Sequence, residues 1–283
     1  MTTGGPIGGL LAIFAHPDDE TFGVGGTMAR YRDAGVPVTM VCATRGEVGE
    51  ISPGTDATPE TLGQFREQEL RDAMAILGVD DVRFLDFRDS GMAGTDDNAN
   101  PANLMNADAS KVVPPLVRII RERRPDVIVT WDESGGYGHP DHVAVHHHAT
   151  AAYHESADAA LHRDAGDTWR APRFFYIAIP MEEFGRMMAE MRKRGIMEPA
   201  VAEDDQMLAD LPRVRPNCVI DVDAQFERKM RAMLAHKTQT KDMDGFVSLP
   251  ADLQRAFFGR EFFYRVAPPL PDGAMLNDLL AND

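Results

Sequence analysis

Short apolar runs that do not alternate with polar residues constrain this chain most. Leu10–Ala15, Val36–Ala43, Val82–Phe87, Asp126–Trp131, Arg173–Ile179 and Asn217–Val222 are each the length of a strand, and most lack a period of two. A strand reads as a continuous apolar run when both of its faces are covered, which is the situation in a largely parallel sheet. Between the runs lie stretches of helical pattern, Glu60–Leu77, Lys111–Arg123, His142–Ala157, Met181–Arg194 and Asp223–Lys237; in the last, Phe226, Met230, Met233 and Leu234 share one face. This alternation predicts an α/β fold of the Rossmann-like, doubly wound kind: a mainly parallel sheet with helices on both faces. With no internal repeat and no linker, the whole chain, 1–283, is expected to form a single domain.

Two irregular stretches interrupt the pattern, near 90–110 and 196–216. The first, rich in Gly, Asn and Asp, follows a strand end directly and is expected to serve the site. The second carries Glu203-Asp204-Asp205 and reads equally well as a surface insertion. Charge narrows the function. Twenty-nine lysines and arginines against 45 aspartates and glutamates leave −16, which opposes binding to phosphate backbones and anionic lipid. Neither nucleic acid nor membrane is therefore expected as a partner. Cys42 and Cys218 sit in apolar runs without metal or redox spacing. The apolar LLAIFA stretch is too short for a signal-peptide core or a membrane span, and a cytoplasmic protein is expected; a homo-oligomer is left open.

The first run ends in His16-Pro17-Asp18-Asp19-Glu20, and the fourth is followed by Asp132-Glu133-Ser134-Gly135-Gly136-Tyr137-Gly138-His139-Pro140-Asp141-His142. In open α/β sheets the ligand crevice lies beyond the carboxyl ends of the strands. Two strand ends that each deliver His-Pro-Asp are hard to ascribe to packing. Imidazole and carboxylate are zinc ligands, and three protein ligands with one open position make a catalytic site. His16, Asp19 and His142 meet that requirement, with Asp18 and His139 facing the open position. His146, one turn after His142, is a second-choice ligand. Fe(II) takes similar N/O sites, so an Fe(II) oxygenase and a non-catalytic carbohydrate-binding module stand as readings from other classes. The glycines at 23, 25 and 26 lack the dinucleotide-binding register.

His-Pro-Asp-Asp-Glu after the first strand with His-Pro-Asp-His after a later one resembles the PIG-L/LmbE-like zinc-dependent N-deacetylases. Gly46-Glu47, Arg66 to Glu69 and Arg88-Asp89-Ser90-Gly91-Met92 follow in the family's order, so the likeness runs from Leu10 to about Ala149. Within the family the chain is similar to the N-acetylglucosaminyl deacetylases of low-molecular-weight thiol synthesis, and His236-Lys237-Thr238-Gln239 resembles that subgroup. The resemblance implies a hydrolase that removes the N-acetyl group from a small amino sugar or its glycoside, using Zn2+ or, less typically, Fe2+ or another divalent ion. A thiol-conjugate amidase is the alternative. It implies that His16, Asp19 and His142 bind the metal, that Asp18 is the general base, and that His139 stabilises the oxyanion or supplies a proton. Asp141 would tune His139. Arg66, Asp89, Tyr137 and Glu47 would contact the substrate.

Overall fold

The computed structural model describes residues 8–195, 214–240 and 248–281. The acidic 203–205 patch and most of the 196–216 stretch lie outside them. Among the described residues seven strands form one sheet in the order β3-β2-β1-β4-β5-β7-β6. The strands are β1 (Leu10–Phe14), β2 (Val38–Thr44), β3 (Asp81–Phe87), β4 (Val127–Thr130), β5 (Arg173–Ile177), β6 (Cys218–Asp221) and β7 (Arg260–Ala267). The first five are mutually parallel; β7 runs antiparallel to both β5 and β6. The expected mainly parallel α/β fold is what forms.

Every residue of β1, β2 and β4 is buried, as their unalternating sequences require. Helices α2 (Gly25–Asp33), α3 (Leu62–Leu77) and α8 (Phe226–Met233) pack together, and α4 (Ala109–Arg123) packs on α6 (Pro140–Glu155). Helix α1 (Asp19–Gly23) and the short α5 (Gly135–Gly138) begin within a few residues of β1 and β4. Farther along the chain lie α7 (Met181–Lys193) and α9 (Ala251–Phe258). Helix α3 ends at Gly78, whose φ of 83° gives the left-handed C-cap. The helix expected over 223–237 is shorter: a 3-10 turn, Asp223–Gln225, precedes α8.

Strand β7 was not among the expected strands. Its inward positions are Glu261, Phe263 and Arg265, all buried, so charge sits where an apolar residue would announce a strand. Glu261 is satisfied there: it accepts from Gly26 N at 2.8 Å, Thr27 N at 2.7 Å and Lys229 Nζ at 2.7 Å. The chain passes from β1 outward to β2 and β3, then returns to β4 on the other side of β1. This reversal makes the carboxyl ends of β1 and β4 the switch point at which such sheets bind ligands.

Candidate active site

Both His-Pro-Asp elements lie at this switch point. After β1, Asp18 caps α1 with φ 121° and ψ −31°, a conformation that costs a non-glycine residue about 1–3 kcal/mol. After β4, Gly135 (φ 62°) packs so closely on α6 that a Cβ there would stand 2.6 Å from the Cβ of His142. Pro140 occupies the first turn of α6, and His139 Nδ1 accepts from Asp141 N at 3.1 Å as its cap.

Three donor atoms from these two elements converge. His16 Nδ1 and His142 Nε2 are 3.2 Å apart. Asp19 approaches His142 Nε2 at 3.2 Å through Oδ1 and His16 Nδ1 at 3.9 Å through Oδ2. Around a tetrahedral zinc ion, nitrogen ligands stand about 3.3 Å apart. All three residues are buried, and each is turned by a partner on its far side. His16 Nε2 meets Asp141 Oδ2 at 3.2 Å and Asp89 Oδ1 at 3.5 Å. His142 Nδ1 meets Gly135 O at 3.0 Å, and Asp19 Oδ2 accepts from Ala15 N at 3.1 Å, His16 N at 2.9 Å and Trp131 Nε1 at 3.4 Å. These contacts put the imidazole protons on His16 Nε2 and His142 Nδ1, so the nitrogens that face each other present lone pairs. Converging lone pairs beside a carboxylate repel one another until a cation sits among them. The donor set therefore fits a divalent metal.

The surrounding carboxylates favour positive charge among these atoms, which a bound cation would supply in place of a second proton on His16. Burial works against the charged forms, yet Asp89, Asp141 and Asp19 raise His16 well above its ordinary value. Asp19 lies well below the carboxylate range because His142, His16 and backbone N–H groups outweigh its burial. Asp89 behaves likewise beside His16. Burial pushes Asp18 up to about 6, against the pull of Arg66. Burial and the neighbouring histidines pull His139 down to about 3, so it is neutral, and with Nδ1 accepting, its proton is on Nε2.

Ring nitrogens of His16, His139 and His142 lie within 4.8 Å of one another, as do donor atoms of His16, Asp89 and Asp141, so His139 stands beside the expected ligands His16 and His142. Asp141, expected to tune His139, touches it only through its backbone N–H; its carboxylate takes His16 Nε2, Ser90 N at 2.8 Å and Ser90 Oγ. Arg66 does not pair along its own helix: Nη1 donates to Gly46 O at 3.0 Å, and Nη2 to Pro17 O at 2.7 Å and Asp18 Oδ2 at 3.0 Å. Asp89 accepts from Gly91 N at 2.8 Å and Val48 N at 3.3 Å, and Glu47 Oε2 accepts from Asp89 N at 3.0 Å. Tyr137 is 45% exposed, with its ring 5.0 Å from that of His142. His146 Nδ1 is engaged by Trp131 O at 3.1 Å.

Three contributors had no role assigned from the sequence. Trp131 stacks on His142 at 4.3 Å, Ser90 holds Asp141, and Glu20, within the first motif, accepts from Asp18 N at 3.0 Å. Ser90 stands in the run Arg88–Met92 that carries the resemblance.

A family model described as PIG-L: GlcNAc-PI de-N-acetylase matches residues 11–153. A 1D-myo-inositol 2-acetamido-2-deoxy-alpha-D-glucopyranoside deacetylase of Geodermatophilus obscurus is 39% identical over 267 residues, 90% of each chain. One of Kribbella flavida is 38% identical, covering 96% of this chain and 97% of its own. Among solved structures, a conserved protein of Thermus thermophilus is 26% identical with TM-score 0.60, over 93% of this chain and 96% of that one. The N,N'-diacetylchitobiose deacetylase of Pyrococcus horikoshii shares the fold at 20% identity and TM-score 0.63, over 91% and 83%.

Proposed function

We propose, because this chain belongs to the PIG-L (GlcNAc-PI de-N-acetylase) family, that it removes the acetyl group from a neutral 2-acetamido-2-deoxyglucoside, an inositol glycoside foremost, with zinc as its metal. The chain is a deacetylase: relatives that match it over nine-tenths of its length carry that activity in their names. They favour deacetylation over the amidase alternative. One observation carries the metal: the lone pairs of His16 Nδ1 and His142 Nε2 meet beside the Asp19 carboxylate, each turned there by a partner behind it.

His16, Asp19 and His142 would hold the ion, which when bound lowers the pKa of water to about 7 and polarises a carbonyl. The remaining work belongs to the chain. Asp18, ionised at neutral pH but with raised proton affinity, takes the proton of the attacking water and returns it to the leaving amine. Arg66 fixes its carboxylate at 3.0 Å. His139, neutral and protonated on Nε2, offers that N–H to the oxygen of the tetrahedral carbon. Asp141 and Asp89 hold His16. Tyr137, the most exposed of the site side chains, reaches the substrate; Arg66 and Asp89 are already engaged by the chain, and Glu47 spends one carboxylate oxygen on Asp89 N.

Primary-amine release from a panel of N-acetylglucosamine glycosides, inositol glycosides and a thiol-conjugate amide tests this reading, comparing metal-stripped protein with protein given one equivalent of zinc. Zinc-dependent release, fastest on an inositol glycoside, is expected. Stoichiometric zinc binding with no amine from any member would overturn it.

A further inference from the structure

The His236–Gln239 segment, which resembles the thiol-biosynthesis subgroup, has no part in the chemistry above, yet it reaches the site from the far end of the chain. His236 Nε2 lies 2.9 Å from Glu20 Oε1 across 216 residues of sequence, and neither residue is exposed. The other Glu20 oxygen accepts from Asp18 N at 3.0 Å. Asp18 O accepts from Thr21 N at 3.0 Å and Thr21 Oγ1 at 2.8 Å. Its carboxylate takes Arg66. Asp18 is thus held at its N–H, its carbonyl and one carboxylate oxygen, in a backbone conformation that an aspartate rarely adopts (φ 121°).

No partner among the described residues reaches His236 Nδ1, so the proton lies on Nε2, where Glu20 receives it. The same segment secures the helix that carries Arg66: Thr238 donates to the Glu69 carboxylate from N at 2.8 Å and from Oγ1 at 2.6 Å, and Glu69 lies one turn after Arg66 on α3. Gln239 Nε2 donates to Glu50 O at 2.9 Å, and Ser52 N to Thr238 O at 2.8 Å. Helix α8, just before this segment, adds Lys229 Nζ on Phe22 O at 3.0 Å.

We infer that His236 and Glu20 are a positioning pair that holds Asp18 in its working conformation, with Thr238 doing the same for Arg66 through Glu69. The inference rests on the reading of Asp18 as general base. His236 touches no reacting atom. Without it, Glu20 has a buried carboxylate oxygen with no donor and grips the Asp18 N–H less firmly, so the base drifts while the metal ligands keep their own supports.

The test compares His236→Leu and His236→Gln with the full chain, zinc-loaded. His236→Leu is expected to lower kcat about 10- to 100-fold at unchanged KM and unchanged zinc affinity by chelator competition. Exchange of the Asp18 amide, followed by NMR, should quicken about 10-fold. His236→Gln, whose carboxamide N–H still reaches toward Glu20, should recover most of both. Folded His236→Leu with wild-type kcat per bound zinc, or with unchanged Asp18 exchange, would overturn the pair, as would a loss of activity that merely follows lost zinc or a lowered Tm. If leucine at 236 does not fold, Glu20→Gln keeps the buried volume with a weaker acceptor: a fall in kcat at constant KM supports the pair, and wild-type kcat overturns it. A wild-type protein silent on every amide would defeat the deacetylase reading instead. The exchange experiment would then decide the pair by itself.

Discussion

Each site side chain owes its role to the atom that faces away from the chemistry. With Asp18 as the proposed general base, Asp18→Asn should keep one metal per chain and lose about 10²–10⁴-fold in kcat, and wild-type turnover would remove it from the base role. The ligand set separates by the same logic. His142→Ala should weaken zinc binding in a chelator competition, whereas His146→Ala should not, since the His146 ring packs on those of His147 and Tyr176. Ser90→Ala takes a hydroxyl from Asp141 and should cost zinc affinity about 10-fold; equal affinity would show that His16 is oriented by other means. The histidines and aspartates of this set were legible because two strand ends repeat His-Pro-Asp. The roles of Ser90, Trp131 and Glu20 were not, because a serine, a tryptophan and a glutamate in or beside such motifs are ordinary until a partner distant in sequence arrives.

At the scale of elements, charge secures the loops and edges. Arg121 on α4 is buried, and its guanidinium donates to the carbonyls of Glu155, Ser156, Asp158, Leu161, His162 and Gly166. It acts as an internal cap for the loop that leads from α6 to β5. Arg121→Met should destabilise the protein by about 2–4 kcal/mol, and limited proteolysis should nick 156–167 first; an uncut loop would contradict this. The edge strand β3 keeps its rim charged: Asp81 pairs with Arg83 at 3.0 Å and Arg123 at 2.7 Å. Although burial opposes it, Arg83, Thr39 and Arg123 hold the Asp81 carboxyl below its usual range. A lowered folded value stabilises above the unfolded one, about 3.9, and the gain fades as pH falls through the folded value. Urea melts of Asp81→Asn should therefore show a deficit at about pH 7 that closes toward about pH 2, and a deficit of constant size would refute it.

The molecule as a whole is joined at its site. Beyond β1 and β4 the two halves of the sheet meet, and the donor atoms that converge there come from both, while His236 brings in the C-terminal third. A cation at that junction binds the folded chain and has no counterpart site in the unfolded one. Zinc at about 100-fold over its Kd should add about 2.7 kcal/mol, seen as a Tm several degrees above that of the chelator-treated protein. Equal Tm values with and without metal would argue against a preformed site. No helix among the described residues is long and apolar enough to cross a membrane.

The sequence by itself determined the layer architecture and the two strand ends that carry His-Pro-Asp. Strands covered on both faces must be apolar throughout, and a metal site at strand ends must spend His and Asp where nothing else would place them. Only the tertiary structure decided where those residues point and what holds them: that Asp141 serves His16 rather than His139, that Arg66 is spent on Asp18, that Glu261 and Arg265 lie inside a strand, and that His236 meets Glu20. These are contacts between charged groups far apart in the chain. Burial makes each of them depend on its partner, and no local pattern of residues records which partner that is.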